Sequence, residues 1–402
     1  MNPTGLSTRQ ARWYSYLAFW IIPISGACTD IYVPSLPHIM TALNCSETAV
    51  KMTVAVYTLG LSFGQLIAGP ISDCYGRKIT MIIGTLLQAL FISIILLVQQ
   101  IHVFLYCRFF QGLAVALLVV SARAVLSDLF TGNDFKKKVN LSTLFWAIGP
   151  IIAPAIGGYL QYYINWRASF YAMLTYILIT LCFLLLISET HPHRQPLKTK
   201  KILQNYTSLI KNRSFMLSML LSGMLGAFAN IFNILAPFLV QVQLQYNAID
   251  YGRIALSMGL AWFFGNLINQ LFHRYTFKVK AQVCISLLIA GSASMVLIAH
   301  TLPLSIKALV LPSFCLILLA AVLFPNPLSS ALAPFRHIAG SANAFLFSGV
   351  WFCGYALTNL GALFHTQSLL PLASINSGLA LACLIVFLLM KQNRQPQAGT
   401  VN

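Results

Sequence analysis

The chain has 402 residues, 58% of them hydrophobic and 8% charged, with a net charge of +18. That balance excludes a soluble enzyme core and describes a polytopic membrane protein. The basic excess does not point to nucleic acid, because it is confined to the termini and to alternate breaks between apolar runs. Those breaks hold Arg9 and Arg12, Arg77 and Lys78, Lys136, Lys137 and Lys138, the basic residues of 194–213 and 274–280, Arg336, Lys391 and Arg394. The intervening breaks carry only Lys51, Arg167, Arg253 and Lys307 near their edges. By the positive-inside rule both termini are expected in the cytoplasm. The basic faces are expected to meet anionic lipid headgroups.

Twelve apolar runs are long enough to cross a bilayer: 14–36, 50–71, 79–99, 102–126, 139–161, 166–187, 215–240, 251–271, 281–300, 306–328, 339–363 and 368–390. All are expected to be helical, because an open backbone cannot be satisfied in lipid. The first run has no small-residue cleavage site and is expected to stay in the chain. The longest polar stretch divides the sequence into six-span halves, 1–187 and 215–402, joined by a cytoplasmic linker, 188–214. A six-plus-six plan is characteristic of transporters built from repeated halves. Nine cysteines, mostly within spans and without a CxxC pair, imply neither a disulfide framework nor a metal site, and no cofactor is expected.

Seven acids occur in the chain, and Asp30 is the one placed within a span; Glu47, Asp73, Asp128, Asp134, Glu189 and Asp250 lie in or beside polar breaks. A charge at the bilayer centre costs about 2.5–3.5 kcal/mol on insertion scales, so it is normally retained for function. Asp30 opens Asp30-Ile31-Tyr32-Val33-Pro34-Ser35-Leu36-Pro37, where two prolines are expected to end the helix. In span four, Tyr106-Cys107-Arg108-Phe109-Phe110-Gln111-Gly112 adds a second intramembrane charge. Asp30 is the acid expected to pair with Arg108, since span one runs outward, span four inward, and their depths match.

Span two has Tyr57, Gly60, Gly64 and Gly69 and ends in the break Gly69-Pro70-Ile71-Ser72-Asp73-Cys74-Tyr75-Gly76-Arg77-Lys78. Here Arg77 can reach an acid on span four, and Arg123 and Asp128 near the inner end of that span are read as gate residues. Span five reads Gly149-Pro150-Ile151-Ile152-Ala153-Pro154-Ala155-Ile156-Gly157-Gly158, a pattern for a kinked helix with a tight small-residue contact.

The break from Gly69 resembles the G-x-L-A-D-R-x-G-R-K signature of the major facilitator superfamily, with Cys74 where that family has arginine. The Arg108–Gly112 segment resembles its R-x-x-Q-G motif. The span-five run is similar to its antiporter motif, G-x-x-x-G-P-x-x-G-G. Together with Asn165-Trp166-Arg167-Ala168-Ser169-Phe170, these segments resemble twelve-span drug:proton antiporters, most of all the bicyclomycin-resistance type. The resemblance implies two six-helix halves around a central cavity, proton coupling through Asp30 and Arg108, and gating through Gly69, Asp73, Gly76, Arg77, Arg123 and Asp128. It also implies a monomer in the bacterial cytoplasmic membrane, exchanging protons for a small organic substrate. The specific motifs lie in the first half; the corresponding break at 272–280 keeps positive charge and loses the acid and the glycines.

Uncharged amides and aromatics can line a pocket for an amphipathic solute. The candidates are Tyr32, Tyr57, Gln111 and Trp146 in the first half, and Asn230, Asn233, Trp262, Asn266, Asn343 and Trp351 in the second. HExxH, GxSxG and GxxxxGK[ST] are absent, so neither catalysis nor ATP is expected to drive the protein. A dedicated exporter of one metabolite, such as a siderophore, or a proton symporter would use the same fold. A transport-inactive sensor or scaffold is the reading from another class.

Overall fold

The structure, a computed structural model, describes residues 7–191 and 199–392. The ends of the chain and 192–198, within the expected linker, lie outside the described residues, as do the side chains of Thr8, Lys136, Arg336, Lys391 and Gln392. Among the described residues twelve helical segments are long and apolar enough to span a membrane. The first six are Arg9–Ala42, Glu47–Tyr75, Arg77–Leu97, Ile101–Leu129, Gly132–Tyr163 and Trp166–Leu186. The last six are Arg213–Gln243, Ala248–Leu271, Phe277–Thr301, Ile306–Phe335, Ala339–Ala362 and Leu370–Met390. They are called spans one to twelve below. An even number of crossings puts residues 9 and 390 at one end of the bundle, the basic end; the opposite end is the far end.

Span one is broken. Its helix Thr8–Ile21 stops before Pro23, a second helix covers Ile24–Asp30, and a short tight turn at Val33–Ser35 leads into Leu36–Ala42. The cause is local: Pro23, Pro34 and Pro37 lack the N–H that would continue the backbone ladder. Asp30 therefore sits at a helix end inside the bundle, where backbone carbonyls have no partner in their own helix.

Span two corrects the sequence expectation. Its helix does not end in a loop at Gly69 but continues through Pro70 to Tyr75, and Gly76 alone turns the chain into span three. Pro70 cannot donate to the carbonyl four residues earlier, Leu66, and the Tyr206 hydroxyl makes that bond instead at 2.9 Å. Tyr206 belongs to the linker helix Thr199–Lys211, outside the spans. Burial pushes its phenol up to about 12, so it remains a donor at any working pH. Span seven repeats the device: Pro237 frees the Asn233 carbonyl, and the Tyr251 hydroxyl donates to it at 3.5 Å.

The buried side chains form one apolar core running through both halves, with a small satellite around Leu209, Phe215 and Leu346 under the linker helix. Span five presents Leu144, Ile148, Ile152 and Ile156 outward as an exposed stripe at helical spacing. Its other faces are reserved for spans one and eight.

Candidate functional site

Arg108 is fully buried and holds three spans together. Its Nη2 donates to the Cys28 carbonyl (3.2 Å), its Nε to the Thr53 carbonyl (3.4 Å) and its Nη1 to Gln111 Oε1 (2.9 Å). The guanidinium lies between two rings, 4.5 Å from the Tyr32 centroid and 4.3 Å from that of Tyr57. Tyr32 shares a hydrogen bond with Thr53, and Tyr57 donates to the Ser25 carbonyl. The Trp146 indole reaches Ser25 Oγ at 3.1 Å. Tyr32, Tyr57 and Gln111 thus form the cage of the cation.

The expected Arg108–Asp30 ion pair is not formed among the described residues. The arginine spends its fork on carbonyls at the break in span one and on span two. Asp30, 5% exposed, takes its partner from the other half: Asn233 Nδ2 of span seven donates to Asp30 Oδ1 at 3.2 Å. The carboxylate is therefore a bridge between the halves, two residues from a carbonyl that the arginine holds.

Small residues bring span five up to this bridge. A Cβ at Gly149 would run into the Pro23 carbonyl, and one at Gly157 into the backbone of Ile31, next to Asp30. Pro150 packs where Gly26 leaves room on span one. Toward the other half, Gly158 meets the Ala248 backbone, Gly252 the Pro154 carbonyl, and Gly259 the backbone of Ile151. Gly157→Leu will force spans one and five apart. Uptake or efflux assays at matched membrane abundance should show at least a tenfold loss; normal transport would show the contact is dispensable.

The far end carries a second bridge that sequence reading missed. Lys51, expected at the edge of a loop, is completely buried. Its ammonium pairs with Glu47 and donates to the Phe364 carbonyl (2.8 Å) and to Thr366 Oγ1 (3.1 Å), both in the connection between spans eleven and twelve. Glu47 in turn accepts from Thr366 N and its hydroxyl, and Gln241 donates to the Pro34 carbonyl at 2.8 Å. The i, i+4 spacing of Glu47 and Lys51 was the visible signal; partners more than 300 residues away were not.

At the basic end Arg77 joins two acids, Asp73 and Asp128 (3.0 Å to Asp128 Oδ2), and also donates to Ser72 Oγ. Glu189, which sequence reading left in the linker, caps span three by accepting from the backbone N–H groups of Arg77 (2.9 Å) and Lys78 (3.1 Å). A carboxylate suits the positive end of a helix dipole. Gly76 has φ +99°, and a Cβ there would collide with the Glu189 carboxylate. Gly76→Ala should cost about 1–3 kcal/mol in backbone strain alone, and should lower the melting temperature of the purified protein. A melt matching wild type would show that the turn relaxes freely. Gly69, in contrast, has open space around it. Arg123 stands apart from this cluster: it is half-buried with its guanidinium 5.9 Å from the Phe347 ring of span eleven.

Of the second-half candidates, Asn233 is the one on Asp30. Asn266 and Asn343 donate to carbonyls of their own helices, at Trp262 and Ala339. Trp262 packs edge-on against Phe324, Asn230 lies near Gly354, and Trp351 packs against the core.

A twelve-span bundle in two halves, with a buried carboxylate bridging them, defines a membrane transporter, and residues 18–359 match the model of the Major Facilitator Superfamily. The chain belongs to that superfamily. It is 27% identical over 376 residues to the bicyclomycin resistance protein homolog of Haemophilus influenzae, covering 90% of this chain and 92% of that one. It is also 27% identical over 384 residues to the multidrug resistance protein MdtL of Escherichia fergusonii, covering 93% of each. The crystal structure of a D-xylose-proton symporter superposes with TM-score 0.74 at 16% identity, covering 94% of this chain and 97% of that chain, which speaks to the fold alone.

Proposed function

We propose that the protein is a proton-coupled antiporter that exports small organic compounds across the bacterial cytoplasmic membrane by alternating access, with both termini in the cytoplasm. The observation that carries this reading is the Asp30–Asn233 bridge, a buried carboxylate whose hydrogen bond crosses between the halves. The resistance for which the relatives are named, to bicyclomycin and to multiple drugs, supports export as the direction and small organic compounds as the substrate class.

On this reading the far end is the outer side, closed by the Lys51 and Gln241 bridges and by spans five and eight. An ionised Asp30 holds Asn233 in a charge-assisted hydrogen bond, about twice as strong as a neutral one. The empty, deprotonated carrier therefore stays closed to the outside until substrate arrives, which limits proton leak. After the bundle opens outward, a proton from outside binds a carboxylate oxygen, the bond to Asn233 weakens on return, and the proton leaves inward. Arg108 does not move the proton; its cage fixes the break in span one so that Asp30 faces span seven. Asp73, Arg77, Asp128 and Glu189 hold the basic-end corner about which the first half rocks, and Arg123 meets the other half there. Asn230, Trp262 and Trp351 are the second-half groups proposed to face the substrate.

The test is accumulation of a neutral antibiotic such as bicyclomycin and of a panel of dyes in cells with and without the protein. Lower accumulation with the protein, abolished by a protonophore, is expected. Higher accumulation with the protein would establish import and overturn the antiport reading.

A further inference from the structure

The second half carries a counterpart of the Arg77 corner with its acids replaced. In the first half a cation at the start of span three meets carboxylates from the ends of spans two and four. In the second, Lys280 in the first turn of span nine meets Asn269, near the end of span eight, and Asn326 of span ten completes the corner. Lys280 Nζ donates to Asn269 Oδ1 at 2.8 Å and to its carbonyl at 3.2 Å, and Asn326 Nδ2 donates to the same Oδ1 at 3.0 Å. The corner joins the corresponding three spans, it keeps a cation, and amides stand where the first half has carboxylates.

Lys280 is only 9% exposed, and among the described residues no acid pairs with it. The one acid of the second half, Asp250, lies at the opposite end of span eight, some 30 Å away at about 1.5 Å per residue. The other charged groups nearby in sequence, Arg274 and Lys278, are also positive. An ammonium has three donors, and Asn269 takes two of them. Around the corner the surface is apolar and open: Leu271, Phe272, Val279 and Val283 are exposed, with Tyr275 beside them. Aromatic and basic residues together at a helix end mark the headgroup depth of a bilayer, and basic corners between spans hold anionic headgroups there.

We propose that this corner binds the headgroup phosphate of an anionic phospholipid, with Lys280 neutralising the phosphodiester and the exposed Leu271–Val283 surface lying along the acyl chain. The lipid supplies the negative charge that the first half builds from Asp73 and Asp128. A soluble anion lacks the chain that this apolar rim is placed to meet.

The experiment is native mass spectrometry of the full-length protein in detergent, titrated with phosphatidylglycerol, phosphatidylcholine or inorganic phosphate. Wild type should retain a phosphatidylglycerol adduct at activation energies that strip phosphatidylcholine, and inorganic phosphate should not displace it. Lys280→Gln should reduce retention at least fivefold. Asn326→Asp, which places a carboxylate on span ten as Asp128 does on span four and so offers the corner an acid of its own, should do the same, and it decides the matter if the glutamine variant is unstable. Undiminished retention in the aspartate variant, equal retention of phosphatidylcholine, or displacement by inorganic phosphate would each overturn the proposal.

Discussion

Arg108→Ala is expected to abolish transport and to leave a protein that melts far below wild type or is cleared from the membrane. The guanidinium satisfies two backbone carbonyls and the Gln111 side chain, all in the buried interior of the first half. The Cys28 carbonyl lies at the end of the short helix Ile24–Asp30, where the helix offers no donor of its own. Each buried acceptor left unsatisfied costs about 1–3 kcal/mol. Two of them, the Cys28 carbonyl and Gln111 Oε1 (the Thr53 carbonyl keeps its bond within span two), with the loss of packing between Tyr32 and Tyr57, amount to a large part of a total stability of about 5–15 kcal/mol. Arg108→Lys should do less damage, since it keeps the charge, but it lacks the planar fork that reaches three acceptors and stacks on two rings. Thermal melts of the purified variants, with membrane abundance alongside, separate these outcomes. An alanine variant with wild-type melting and transport would remove the cage from the account.

The same residue shows where sequence reading stops. Twelve spans, alternate basic breaks and the lone intramembrane acid are legible because length, hydropathy and charge are local properties of the chain. The closeness of Arg108 to the Asp30 segment was legible too, but closeness does not say which way a side chain turns. The broken helix at Pro23 and Pro34 presents carbonyls to the arginine and leaves the carboxylate to Asn233, 203 residues on. Glu189 was hidden for a similar reason: in sequence it stands in a basic linker, and in space it caps span three. The continuation of span two through Pro70 depends on a hydroxyl from the linker helix, which no local pattern around the proline reveals. Likewise, Asn269 and Asn326 read as ordinary polar residues of two spans until Lys280 joins them.

In the proposed mechanism coupling is assigned to Asp30. Replacing it by asparagine keeps the size of the side chain and a hydrogen bond to Asn233, so the fold should survive, but the amide cannot take up or release a proton. Each proton carried inward releases about 1.4 kcal/mol per pH unit and about 2.3 kcal/mol per 100 mV. None of that is available to a carrier without the carboxylate, and among the described residues Asp30 is the one acid that lies away from the ends of a span. The direct measurement is substrate-dependent proton flux in proteoliposomes under an imposed pH gradient, wild type against Asp30→Asn at equal protein content. The expected result is flux in wild type and none above background in the asparagine variant, which still equilibrates substrate down its own gradient. Proton flux at the wild-type rate in Asp30→Asn would contradict the account and move coupling to another group.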